Sequence, residues 1–266
     1  MIMKAIRIHQ YGGPEVLAQV EMQRPAPGAN EVLIKVHAAS VNPVDWKMRA
    51  GYMKDFLPLS LPATLGSDVS GTVEGVGPGA ARFKRGDEVY ASLGLEGGGY
   101  AEYAVAKETI IAGKPSTLDH VHAAAVPVAG LTAWQALFEV AQLRAGQKVL
   151  IHGAAGGVGN FAVQFAKERG AYVIGTASSR NHAFLHELGA DKAVDYQQTR
   201  FEDVVRDADV VLARYNWRRH AGAFVQSAKE RRHLGVDCTT PFARTGCEIR
   251  SSRTVLWRTS QFIQPG

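Results

Sequence analysis

The chain has 266 residues, 46% of them hydrophobic and 21% charged, which suits one large or two ordinary globular domains. No stretch is long and apolar enough to cross a membrane, the start MIMKAIRIHQ lacks a secretion signal's basic-then-apolar order, and Cys238 and Cys247 make no disulfide framework, so a cytoplasmic setting is expected. The net charge of +5 is uneven: residues 1–212 carry 20 Lys+Arg against 22 Asp+Glu, and residues 213–266 carry 10 against 3.

The first hundred residues read as β-rich. Lys4 to Ile8, Val32 to Val36, Val69 to Val76, Glu88 to Ala91 and Tyr100 to Val105 each have strand character, with Gly and Pro between them. Pro43 to Ala50 reads as one or two helical turns. From His120 the pattern changes. Ala123 to Leu143 is Ala-rich with helical apolar spacing, broken near Pro127 and Gly130. Then follow a strand (Val149 to His152), a glycine turn and a helix. A second strand (Ala171 to Thr176) leads to a helix (Asn181 to Leu188) with Gly189 at its C-cap, and Ala208 to Leu212 is a further strand. Alternating β and α units imply a parallel sheet with helices on its faces.

The run GQKVLIHGAAGGVGNFAVQFAK, Gly146 to Lys167, carries the most information. Gly153, Gly156, Gly157 and Gly159 sit where a strand turns into a helix. Such a turn lets backbone approach a pyrophosphate and aims free N–H groups and the positive helix end at it. The competing reading is a turn that only lets helix and strand pack tightly.

This segment, with Asn42-Pro43-Val44-Asp45, Arg49 and Gly51, Gly66-Ser67-Asp68 with Gly71, and Gly130 to Gln135, resembles the zinc-free quinone oxidoreductase (zeta-crystallin-like) branch of the medium-chain dehydrogenase/reductase superfamily. The resemblance covers about residues 1–212. It implies an α/β chain: a GroES-like β-rich substrate domain at 1–118, the first part of a Rossmann-like domain at 119–212, and an atypical basic tail at 213–266, poorly ordered. It further implies hydride transfer from NADPH to a quinone or an α,β-unsaturated carbonyl, with the nicotinamide held between the domains. Full-length members often form homodimers.

A Rossmann site for NAD usually places an acidic residue about 20 residues after the glycines. Here the second strand runs into Ser178-Ser179-Arg180 with no carboxylate. Two hydroxyls and a guanidinium suit a 2′-phosphate, so NADPH is the expected cofactor. Capping of the next helix by the serines is compatible with that role. By resemblance, Tyr196 flanks the same phosphate; packing beneath the sheet edge is the alternative. The cofactor residues are therefore Ala155, Gly156, Gly157, Val158, Gly159, Ser178, Ser179, Arg180, Tyr196 and Thr132, the last by resemblance a contact near the nicotinamide. A helical Thr bonding its own backbone is the rival reading for Thr132.

Residues 1–212 contain no cysteine. Where zinc-dependent relatives place Cys this chain has Val41-Asn42, and where they place His-Glu it has Ser67-Asp68. His9, His37, His120 and His122 match no tetrahedral ligand spacing, so no metal is expected. On the catalytic side the resemblance points to Asn42, whose amide would donate to the oxygen that gains charge as hydride arrives. Asn42 is equally an N-cap before Pro43. Asp45 and Arg49, four apart, suit a structural ion pair. Tyr52 is a candidate aromatic wall of the substrate pocket. No Ser-His-Asp arrangement or catalytic carboxylate pair is evident, and hydrolytic chemistry has no support.

Beyond Leu212 the resemblance ends. Nine of 19 arginines, both cysteines and two of four tryptophans fall in the last 54 residues, with no sustained period. Read one nucleotide later, the codons of Ala213 to Arg219 permit LDTIGG, and those of Lys229 to Cys238 permit KNGGILVSI, the two family motifs missing at those places. A shifted reading frame is the expectation, with weak or absent activity for the chain as written. The competing expectation is an inactive relative or a binding protein using the tail, whose Arg218-Arg219 and Arg231-Arg232 lie near Trp217 and, further on, Trp257; nucleic-acid binding is the disfavoured form of it.

Overall fold

A computed structural model of the chain describes residues 1–213, together with the short strands Gly235–Val236 and Thr254–Val255, which pair in parallel. The expectations for the basic tail otherwise lie outside the described residues. The chain divides into two units, Met1–Val128 and Ala129–Gly266, whereas the sequence pattern changes at 118/119.

In the first unit the elements run β1 (Ile2–Ile8), β2 (Ala18–Gln23), β3 (Glu31–Ser40), α1 (Pro43–Arg49), β4 (Ala63–Thr64), β5 (Asp68–Val76), β6 (Glu88–Ser92), β7 (Tyr103–Lys107), β8 (Ile111–Gly113) and α2 (His120–Ala124). They make a three-stranded sheet, β2-β1-β4, and a five-stranded sheet, β7-β3-β5-β6-β8, with all pairings antiparallel. Alternation along β5 sets what each face does. Val69 and Val73 are fully buried in a cluster with Val32, Ile34, Val89 and Ile111. Fully burying such side chains contributes about 1.5–3 kcal/mol each. Asp68, Ser70 and Thr72 take the opposite face, where the segment around α2 covers them. Ser70 Oγ lies 2.8 Å from His120 Nδ1, and Asp68 accepts the Val128 N–H at 3.0 Å. Thr72 Oγ1 meets His37 Nε2 at 3.0 Å, where β3 slips register between Val36 and Ala38.

In the second unit α3 (Pro127–Trp134, entered from the first unit) runs into a π-helical stretch over Gln135–Val140. Then come β9 (Lys148–Ile151), α4 (Gly157–Glu168), β10 (Tyr172–Ala177), α5 (His182–Glu187), β11 (Lys192–Asp195), α6 (Phe201–Val204) and β12 (Val210–Leu212). The four strands are parallel in the order β11-β10-β9-β12. Successive connections from β9 leave toward β10 and return to β12 on its other side. Ligands of open parallel sheets bind at such a switch, beyond the carboxyl ends of the strands. The apolar stripe of α4, Val158, Ala162, Val163 and Ala166, packs on one sheet face with Val149, Ile151, Val173 and Leu212. Leu150, Ile174, Val194 and Val211 face the other side with Phe201 and Val205.

Four details depart from the sequence expectation. Gly130 lies inside α3 and does not break it; the irregularity comes after Trp134. The strand expected from Tyr100 begins at Tyr103. A 3-10 turn over Ser179–Asn181 leads into α5, which begins at His182. The strand β2 is absent from the expected strands although Ala18, Val20 and Met22 alternate with polar residues along it, and β4, β8 and β11 are too short to show a period.

Candidate active site

The turn after β9 divides its glycines between two tasks. At Gly159 a Cβ would lie 2.3 Å from the Gly153 carbonyl oxygen and 2.7 Å from Ala154 Cα, so only glycine lets α4 pack this close to the strand end. Gly153, at φ +62°, makes the bend in the left-handed region. Gly157 opens α4 and is exposed, and a Cβ there would meet no atom within 4 Å. The tight-packing reading thus holds for Gly159, and a Cβ at Gly156 would stand 3.1 Å from the Gly153 carbonyl oxygen, while the space at Gly157 is open. No side chain caps α4, which leaves its first N–H groups and the positive end of its dipole for an anion. Val158 is buried and Ala155 half-buried beneath this surface.

Side chains from three elements hold the turn. Thr176 Oγ1, on β10, accepts the Gly153 N–H at 3.2 Å, and its carbonyl accepts the Ala154 N–H at 3.0 Å. His152 Nδ1 lies 3.2 Å from the same Oγ1, and its ring packs edge-on against Phe201 at 4.7 Å. Asn160 Nδ2 donates to the carbonyls of Gly156 and Gly157, each at 3.0 Å. None of the three supports was identified from the sequence. The only trace there is a short amide directly after Gly159 and a Thr at the end of an apolar strand.

Register brings the next group together. Ala177 at the end of β10 pairs with Asp195 at the end of β11, so Ser178-Ser179-Arg180 and Tyr196 leave adjacent strand ends. Ser179 and Arg180 are exposed. Ser178 takes the N-cap position of the 3-10 turn, but its side chain makes no capping bond; its Oγ accepts from Asn181 Nδ2 at 3.2 Å. Tyr196 is 58% exposed, which removes the alternative of packing beneath the sheet edge. Asp195 is a carboxylate beside this group that the sequence argument passed over. It is buried, and its Oδ1 accepts the Gln197 N–H at 2.9 Å. Thr132 is half-buried on α3.

In the first unit Asn42 is the N-cap of α1. Its N–H donates to Asp45 Oδ2 at 2.7 Å, and the Asp45 N–H returns to the Asn42 carbonyl at 3.0 Å. The side chain does something else. Nδ2 donates to Ser40 Oγ at 3.0 Å and to Asp68 Oδ2 at 2.9 Å. The amide nitrogen thus has two acceptors inside the protein. A donor role of Asn42 toward a charged substrate oxygen would share Nδ2 with these two acceptors. The expected Asp45–Arg49 pair is replaced. Asp45 accepts from Ser67 Oγ at 2.9 Å and Tyr100 Oη at 3.0 Å, and Arg49 Nε donates to the Gly12 carbonyl at 3.3 Å.

Asp68 is fully buried and also accepts from Ser40 Oγ at 2.9 Å. Burial pushes its carboxyl up to about 6, against the pull of its hydrogen bonds. Burial and the neighbouring Asp45 raise the Tyr100 phenol well above its ordinary value, so it remains a donor. Tyr52 lies beyond the C-terminal end of α1, 71% exposed, edge-on to Trp46 at 5.7 Å. Among the described residues no three His, Cys, Asp or Glu side chains are grouped to hold a metal ion.

Residues 28–116 match the alcohol dehydrogenase GroES-like domain family, and residues 157–213 match the zinc-binding dehydrogenase family. The solved quinone oxidoreductase of Coxiella burnetii is 38% identical and superposes with a TM-score of 0.77, over 89% of this chain and 76% of that one. The chain belongs to the quinone oxidoreductase branch of the medium-chain dehydrogenase/reductase superfamily. Another member, the chloroplast envelope quinone oxidoreductase homolog of Arabidopsis thaliana, is 45% identical over 203 residues, which are 74% of this chain and 62% of the relative. The CurK enoyl reductase superposes with a TM-score of 0.82 at 28% identity, over 91% of this chain and 76% of that one. The chain thus spans about 62% of the length of the curated quinone oxidoreductases it matches. At the positions compared above with the zinc-dependent pattern, Asn42 donates to Asp68 and Ser67 donates to Asp45.

Proposed function

We propose that this chain is a nicotinamide-dependent oxidoreductase, built to bind NADPH and to reduce a quinone or an α,β-unsaturated carbonyl. The observation that carries the reading is the exposed, uncapped start of α4 with open space beyond Gly157. That shape fits a dinucleotide. The N–H groups of Gly157, Val158 and Gly159 would hold the pyrophosphate, braced by Thr176 and Asn160. Ser178, Ser179 and Arg180 would hold a 2′-phosphate through hydroxyl and guanidinium donors, with Tyr196 beside them. Asp195, the carboxylate at the neighbouring strand end, is buried with Oδ1 engaged by the Gln197 N–H and Oδ2 without a hydrogen-bond partner among the described residues.

NADPH, when bound, supplies the hydride; the chain's share is binding, orientation and the exclusion of water. In the first unit the exposed Tyr52 and Trp46 rings offer flat apolar surface suited to a planar acceptor. The relatives named for quinone reduction favour the quinone over the enone.

Thermal unfolding of the full chain with each nucleotide tests the cofactor. NADPH is expected to raise Tm with the logarithm of its concentration above Kd, and NADH to do so much less. No shift with either nucleotide overturns the reading. NADPH oxidation in the presence of a simple quinone, compared with an enone, then ranks the acceptors.

A further inference from the structure

We propose that Asp68 is the positioning residue of the Asn42 amide: with Ser40 it takes both Nδ2 protons, so that Asn42 meets a ligand as a hydrogen-bond acceptor. The three groups close a triangle. Nδ2 donates to Asp68 Oδ2 and Ser40 Oγ, and Ser40 Oγ donates to the same Oδ2. A carboxylate is acceptor-only when ionised, so a flipped amide would set its carbonyl oxygen against Oδ2, two acceptors face to face in a buried place. The second oxygen, Oδ1, is fixed by the Val128 N–H, which keeps the carboxylate from rotating away. Asp68 is fully buried at the start of β5, within the sheet ladder opposite Ser40 and Ser92. Two hydrogen bonds hold the amide nitrogen, and the Ser40 hydroxyl and the Val128 N–H hold the carboxylate that receives one of them.

The chemical consequence deepens the oxidoreductase reading and rests on it only for the ligand's identity. A ligand group set against Asn42 is an N–H or O–H, such as the hydroxyl of a quinol, and not an oxygen that is gaining negative charge. Stabilisation of that charge falls to another donor.

The test is NMR-detected hydrogen exchange of the Asn42 side-chain amide in the full chain. Both Nδ2 protons are expected to exchange at least tenfold more slowly than those of a free asparagine. In Asp68→Asn that protection falls at least tenfold while the backbone amides of β5 keep theirs, a separation that general loosening would not produce. If Asp68→Asn fails to fold, Ser40→Ala decides: one Nδ2 proton is released and the other stays protected. Free exchange of both protons in the native chain overturns the proposal, as does unchanged protection in a folded variant. Failure of the oxidoreductase reading would instead appear as an absent nucleotide effect on Tm and would leave these exchange rates untouched.

Discussion

The two units hold their candidate sites by opposite means. In the second, the turn after β9 is made of backbone: glycines that admit a close approach, and helix N–H groups left without partners. In the first, the place where zinc relatives carry ligands is made of side chains locked together: Ser40, Asn42, Asp45, Ser67, Asp68 and Tyr100. A backbone site is open before its ligand arrives. A side-chain network is satisfied internally, so its atoms act on a ligand only in the orientation their mutual bonds allow.

The largest expected effect breaks the side-chain half by pH. An unfolded aspartate has its ordinary value of 3.8, while buried Asp68 lies at about 6. Between these values the native chain holds the extra proton, so stability is full below the lower value and is lost as pH rises through the upper one. The loss is on the order of 3 kcal/mol. Denaturant titrations across this range should show the fall in the native chain. The corresponding segment of the curve should flatten in Asp68→Asn.

Next in size is a break in the backbone half. Gly159→Val places a branched side chain against the Gly153 carbonyl and should cost about 1–3 kcal/mol in chemical denaturation, with loss of NADPH protection. Gly157→Ala sharpens the contrast. It fills open space, so folding stability should hold while NADPH affinity drops, since the added methyl stands where the phosphate would approach. Unchanged affinity in Gly157→Ala would remove the phosphate from that position.

Arg180→Ala should weaken NADPH binding about tenfold, about 1.4 kcal/mol, and leave NADH binding unaltered; titration calorimetry with both nucleotides reads the difference. The smallest effect is expected from Thr176→Val, which keeps the volume and removes the acceptor for the Gly153 N–H. A loss of about 1 kcal/mol in denaturation would assign that share to the side chain that braces the turn.

Much of the second unit was legible from residues alone, because its strands are continuous apolar runs and the glycines sit where a strand pattern becomes a helical one. The resemblance to a known branch was legible for the same reason. β11 was not: Lys192-Ala193-Val194-Asp195 is too short to show a period and exists as a strand because β10 offers it a paired edge. Asp68 stood in a quoted motif without a role. The strand also carries Ser70, Thr72 and Glu74, so the sequence neither singles out Asp68 nor says which partners arrive from β3 and from Val128.

The sequence alone determined that a glycine turn joins β9 to α4, since glycine spacing and apolar periodicity are local properties carried by adjacent residues. It also determined that Ser178 and Arg180 follow the end of β10. Only the tertiary structure decided which way the Asn42 amide points and that Thr176 supports the turn. Those outcomes depend on hydrogen bonds between residues as much as 60 positions apart, as between Val128 and Asp68, and such directions are fixed when strands pair and burial leaves each polar atom few partners.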